Sequence, residues 1–332
     1  MTYEALTQDL KAGKIKPAYL LEGEEDFFID QVSLFFEQRL LNDTEKEFNL
    51  IIFYGRDANW TEVVNACRRY PMFAEKQVVI IKEAQSMKSI EKLEAYLNNP
   101  LGSTVLVIAY KHGKLDGRTI LKKLIEKQGV VLTTKRLYDN KIPDWIKSYA
   151  NAQGHDITQK ACILLTDHIG NDLSRQANEI DKLLLNLPAG KKIDEDDIEK
   201  YVGISKEHNI FEFQKALGSK DLPKVIQMLN YFTGNPKAAP LPMLFTVLYS
   251  FFSKVYAIVH LPARSDKELA SELKIHPFFI TDYQKAAKIY RRTGIERALL
   301  ILNEYNLRNI GINDAGTPGH ELLKEMVMKM IH

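Results

Sequence analysis

The chain has 332 residues, of which 45% are hydrophobic and 27% charged, the balance of a folded globular protein with room for about two or three domains, each with its own core. Its 45 basic and 43 acidic residues leave a net charge of +2, so no overall field holds nucleic acid, and any DNA contact has to be local or shared with partners. Cys67 and Cys162 form no C-x-x-C pair and read as reduced structural thiols, and the eight histidines have no metal-ligand or nucleophile–base spacing, so neither a metal centre nor a hydrolase is indicated.

The first residues, Met1 to Leu6, lack a basic region followed by an apolar core, so a cytoplasmic protein is expected. Ala18 to Leu21 reads as a strand, and Glu22-Gly23-Glu24-Glu25-Asp26 follows it where a nucleotide-binding α/β domain places its phosphate loop. That loop needs G-x-x-x-x-G-K-[ST], so that amides and an ammonium surround the phosphates. Counting from Gly23, the last three places hold Phe28, Ile29 and Asp30, while Glu24, Glu25 and Asp26 put carboxylates at the positive end of the helix dipole. Gly23 is therefore either the remnant of a phosphate loop or simply a turn glycine before a helix.

Phe28, Val32, Phe35, Phe36 and Leu40 recur at helical spacing, and Phe48 to Tyr54, Gln77 to Ile81, Thr104 to Tyr110 and Val130 to Thr133 read as strands. Asn59 with Glu62 caps a helix over Val63 to Arg69. Apolar strands separated by helices predict a parallel sheet covered on both faces. Met72 and Phe73 fall on a short connection between Pro71 and the strand at Gln77, either projecting outwards or packed into the core. Arg68 and Arg69 precede them as a helix end. Lys111, Lys114, Arg118, Lys122 and Lys123 surround a later strand-to-helix connection, as a solvated basic face or as a phosphate contact.

Beyond Leu137 the strand pattern stops. Pro143 opens a helix through Ala150, Thr158 and Asp172 are N-cap candidates for two more, and Leu187 to Lys192 breaks the run before an acidic helix from Asp194 to Tyr201. A second boundary is expected near residues 203–207, and the rest reads as helices with stops at Gly218, Gly234-Asn235-Pro236, Pro262 and Gly294. Leu241 to Leu261 is apolar enough to span a bilayer, but Lys254 near its centre favours a buried bundle helix or a subunit interface. The expected division is 1–139 α/β, 140–204 helical and 205–332 helical.

This layout resembles the AAA+ clamp-loader ATPases: a parallel-sheet domain, a small helical lid and a C-terminal helical collar. An active member carries Asp-Glu after its third strand to hold Mg²⁺. Here Val78 to Ile81 is followed by Lys82-Glu83. With the loss at Phe28, Ile29 and Asp30, two separate elements of ATP hydrolysis are missing.

Short motifs then carry a closer resemblance, to the delta subunits of the bacterial DNA polymerase III holoenzyme. They are Lys16 to Glu25 followed by Phe28; Arg69 to Val79; Leu173 with Asn178 to Leu183; Asn209 to Phe213; and His276-Pro277-Phe278 with Tyr283, Ala286 and Ala287. They occur in family order over nearly the whole chain, and the collar diverges most.

The resemblance implies a non-catalytic subunit of a DNA-directed DNA polymerase complex that binds the sliding clamp (beta) through Met72 and Phe73 and holds its interface open for loading onto primed DNA. It implies ATPase subunits (gamma/tau) and delta-prime as collar partners, primer-template DNA within the complex, and no bound cofactor, metal or membrane. Arg68, Arg69, Lys114 and Arg118 are candidates to support the clamp or DNA contact. A delta-prime-like subunit or another AAA+ replication or repair scaffold is the alternative, with an active ATPase behind it. A delta-prime relative would be expected to carry zinc-binding cysteines or an interfacial Ser-Arg-Cys element, and neither is visible.

Overall fold

Alternating side chains in the strands decide the architecture of the N-terminal region. In a computed structural model describing residues 1–203, 208–261, 264–314 and 316–332, β1 (Ala18–Gly23), β2 (Leu50–Tyr54), β3 (Gln77–Lys82), β4 (Thr104–Lys111) and β5 (Val130–Thr134) form a five-stranded sheet. Its order is β2-β3-β4-β1-β5 and every pairing is parallel. Tyr19, Leu21, Val78, Ile80, Val105 and Val107 point to one face, where they meet helices α1 (Tyr3–Lys11) and α2 (Asp26–Gln38). Leu20, Val79, Ile81, Leu106 and Ile108 point to the other. That face is covered by α4 (Trp60–Cys67), α5 (Glu94–Leu97) and α6 (Ile120–Gln128). Burial on both faces is why these strands read as continuous apolar runs.

The expected strand over Phe48 to Tyr54 begins two residues late. Asn42 and Glu45 form a reciprocal capping box that starts a short helix, α3 (Asp43–Asn49), and this helix takes Phe48 and Asn49. The expected helix over Val63 to Arg69 instead runs from Trp60, directly after the Asn59 cap, to Cys67. Pro71 therefore follows the helix end at a distance and does not itself terminate it.

Contacts divide the chain into Met1–Leu137 and Tyr138–His332. The second unit is helical. Its first helices are α7 (Ile142–Ala152), α8 (Gln159–Ile169), α9 (Leu173–Asn186) and α10 (Glu195–Val202). Thr158 and Asp172 cap α8 and α9 through their side chains, and Asp194 caps α10 with a capping box to Asp197. The line expected at 204/205 and the stop expected at Pro262 lie outside the described residues.

The remaining helices are α11 (Ile210–Gly218), α12 (Leu222–Gly234), α13 (Leu241–His260), α14 (Asp266–Glu272), α15 (Ile280–Asn309) and α16 (Gly319–Ile331). Gly294 does not stop α15. The break falls three residues earlier, at Arg291, whose φ of 51° lies in the left-handed region. Among the described residues, the segment ending with α13 is the one helix long and apolar enough to cross a membrane. Here it lies in the core: Leu244, Leu248, Phe251, Phe252 and Val255 are buried, and Phe252 meets Tyr290 of α15 edge-on at 5.1 Å. Gly218 lets α11 approach this helix, because a Cβ there would stand 2.7 Å from the Phe251 ring.

Two substitutions on α13 test this placement. Phe252→Ala should cost about 3–5 kcal/mol in urea unfolding, while Tyr249→Ala, on the exposed side, should stay within about 0.5 kcal/mol of the parent. Equal effects would mean that the helix does not face the core in this way.

Candidate functional site

Open parallel sheets take ligands at the C-terminal ends of their strands, where the connections diverge to opposite faces. In this chain that crevice lies by β1 and β4, and protein groups fill it. Only Glu24 and Glu25 separate β1 from α2, too short a turn for a loop around phosphates. The Glu24 amide donates to Thr134 O at 3.3 Å and the Glu25 amide to Thr134 Oγ1 at 3.2 Å. Both amides of this turn are thus occupied by the end of β5. Gly23, with φ 137°, is required by this approach, since a Cβ would lie 2.2 Å from Thr134 O. A backbone bridge from Gly23 to Gly113 closes the other side.

The residues in the second-glycine, lysine and hydroxyl positions pack or pair within the chain. Ile29 is buried in the core, Phe28 packs on Tyr3 at 4.6 Å, and Asp30 pairs with Lys111 at 2.8 Å. After β3, Lys82 Nζ is 2.7 Å from Glu37, and Glu83 is 3.4 Å from Lys111. Burial opposes the charge on Lys111, but Asp30, Glu83 and Asp26 outweigh it and hold the ammonium above its ordinary range. Burial also raises the Asp26 carboxyl, despite the nearby His112 and Lys111. Beneath the turn, Glu22 is fully buried, accepting from Lys122 Nζ at 2.6 Å, the Leu115 amide at 2.9 Å and Thr133 Oγ1 at 3.0 Å.

These contacts divide the basic cluster. Lys111 and Lys122 are committed to internal carboxylates, and Arg118 makes three bonds to Asp116 at 2.8–3.2 Å. Lys114 and Lys123 are exposed. Arg175 stands in the first turn of α9, where its amide is capped by Asp172. Burial pushes both thiols, Cys67 and Cys162, up to about 12.

Met72 and Phe73 lie far from the core. Met72 is 53% and Phe73 94% exposed, on the connection between α4 and β3, with exposed Tyr70 beside them. Phe73 has φ 56°, a costly conformation for an aromatic residue, so its surroundings must hold it there. Three side chains hold this connection. Gln77 Nε2 donates to Arg69 O at 2.5 Å, Lys76 Nζ donates to Gly102 O at 2.6 Å, and Asn49 bonds both backbone groups of Met72. Arg68 Nη2 is tied to Ala95 O at 3.0 Å, whereas Arg69 is exposed. The clamp candidates Arg68, Arg69, Met72 and Phe73 thus share one stretch, and Lys114 and Arg118 lie on another connection.

Asn49, Gln77 and Thr134 were not singled out by sequence reasoning. No spacing rule marks them, because each acts on backbone groups outside its own element.

A five-stranded parallel sheet of this order, with its β1–α2 turn filled by protein groups, is an AAA+-like fold. Residues 19–135 match the family described as DNA polymerase III, delta subunit. The DNA polymerase III subunit delta of Bacillus subtilis (strain 168) is 23% identical, over 97% of this chain and 94% of that protein. The solved structure of the Bacillus subtilis DNA clamp loader delta protein has the same fold, with a TM-score of 0.60, 22% identity and 99% of both chains covered. Residues 19–135 are thus similar to the DNA polymerase III delta family, and the fold of the whole chain is that of the clamp loader delta structure.

Gly23→Ala tests the filled turn. The added methyl meets backbone atoms that cannot move aside, so a loss of about 3 kcal/mol is expected in chemical denaturation. A neutral result would show that Thr134 does not sit against this turn.

Proposed function

We propose that this chain is the delta subunit of a bacterial clamp loader, acting in the cytoplasm, and that Met72 and Phe73 bind the sliding clamp and help to open a single interface of the ring. The observation that carries this reading is the pair of large apolar side chains, held outward on a connection whose backbone is tied down. Burying them in a partner contributes about 1.5–3 kcal/mol each, enough for an apolar hot spot. A methionine adapts to the shape of a pocket, and a phenylalanine brings a rigid anchor.

Binding alone does not open a ring. A subunit with equal affinity for closed and open clamp shifts nothing, so on this reading the contact favours the open form. Arg68, Arg69, Lys114 and Arg118 are proposed as secondary contacts to clamp or DNA. Residues 140–204 would act as the lid and 205–332 as the collar that joins the gamma/tau and delta-prime subunits. The filled phosphate turn and the paired Lys82 support a subunit that hydrolyses nothing and is moved by its ATP-binding neighbours.

Met72→Ala/Phe73→Ala should weaken binding to the cognate clamp roughly hundredfold or more while shifting unfolding by no more than about 1 kcal/mol. A large loss of stability with clamp binding intact would return the pair to a structural role. Titration calorimetry with ATP and Mg²⁺ on the isolated chain should give no saturable heat up to millimolar nucleotide. A stoichiometric isotherm would instead favour an active nucleotide site.

A further inference from the structure

We infer that Asn49 is a positioning residue for the proposed clamp contact: its side chain sets the backbone of Met72, so that Met72 and Phe73 are presented in binding geometry before any partner arrives. The inference rests on the reading of Met72 and Phe73 as the contact pair.

Asn49 is placed by two rigid elements. It is the last residue of α3 and is followed directly by β2. It is 1% exposed, and its carboxamide Nδ2 donates to Glu45 O at 2.9 Å within its own helix. The same nitrogen donates to Met72 O at 2.8 Å, while Oδ1 accepts from the Met72 amide at 2.7 Å. Both backbone groups of one residue are thus held by a single planar group that offers a donor and an acceptor side by side. Aspartate would keep only the acceptor and set a carboxylate against Met72 O. Alanine would leave both Met72 groups without these partners.

This grip is made immediately before Phe73, whose positive φ is the strained step of the connection. Without it, the relaxed conformations of a non-glycine residue at 73 become accessible, and they point the ring elsewhere. A binding site that is competent only some of the time binds more weakly in proportion to the competent fraction. The loss therefore falls on association, whereas removal of the Phe73 ring removes contacts made in the complex and falls on dissociation.

The experiment measures association and dissociation rates of the full chain on immobilised cognate clamp for the parent, Asn49→Ala, Asn49→Asp and Phe73→Ala, with hydrogen exchange of the free chains alongside. Asn49→Ala is expected to slow association about tenfold with dissociation nearly unchanged, and Asn49→Asp to fall in the same direction. Phe73→Ala is expected to speed dissociation. In the parent the Met72 amide should exchange far more slowly than that of Phe73, and Asn49→Ala should abolish the difference. Parent-like association by Asn49→Ala, with Phe73→Ala impaired, overturns the positioning role alone. Parent-like binding by Phe73→Ala overturns the contact reading and this inference with it. Should neither Asn49 variant fold, exchange in the parent decides: a Met72 amide as fast as its loop neighbours rules the grip out.

Discussion

A backbone amide or carbonyl taken from water without a partner costs about 1–3 kcal/mol, and this cost shapes the turn after β1 and the connection between α4 and β3. Three buried or nearly buried side chains meet it. Thr134 receives the amides after β1, Gln77 gathers carbonyls from the end of α4, and Asn49 engages both groups of Met72. Each turns a stretch with no regular hydrogen bonding into a fixed region of the scaffold. At Gly23 the result is a crevice filled by protein, and at Met72 it is an exposed apolar pair on a rigid base.

The ion pairs around the crevice follow the same economy of charge. Lys111 lies among Asp30, Glu83 and Asp26, and Lys82 beside Glu37. Asp30, Lys82 and Glu83, which stand at positions an ATPase gives to phosphate and magnesium, here pair with other charges of the same chain. Glu22 with Lys122 is the deepest case. A buried pair of this kind is not in itself a large source of stability, but losing one partner typically costs about 3–5 kcal/mol. The two charges therefore depend on each other, and through them β1 depends on α6.

The sequence was readable where periodicity and local chemistry decide the outcome. Strands buried on both faces showed as apolar runs, and Thr158 and Asp172 announced their helices because a cap acts within one turn. Phe28, Ile29, Asp30 and Lys82 were legible as departures from nucleotide chemistry by position alone. Phe48 was misplaced because a β-like run overlaps a helix set by the Asn42–Glu45 box. The exposure of Met72 and Phe73 was legible only through the family resemblance, since by residue pattern alone an apolar pair before a strand more often belongs to a core. The backbone there is bonded by Asn49, 23 residues earlier, and the left-handed backbone of Phe73 carries no glycine to signal it.

Asn49 touches only main-chain atoms of Met72. Any residue other than proline offers the same two atoms, so this grip places no demand of its own on the side chain at position 72. The scaffold and the surface it displays are thereby separable. If Met72 is a partner contact as proposed, its preference can drift in evolution, or be rewritten by design, by exchanging one side chain for another while the Asn49 grip beneath remains as it is.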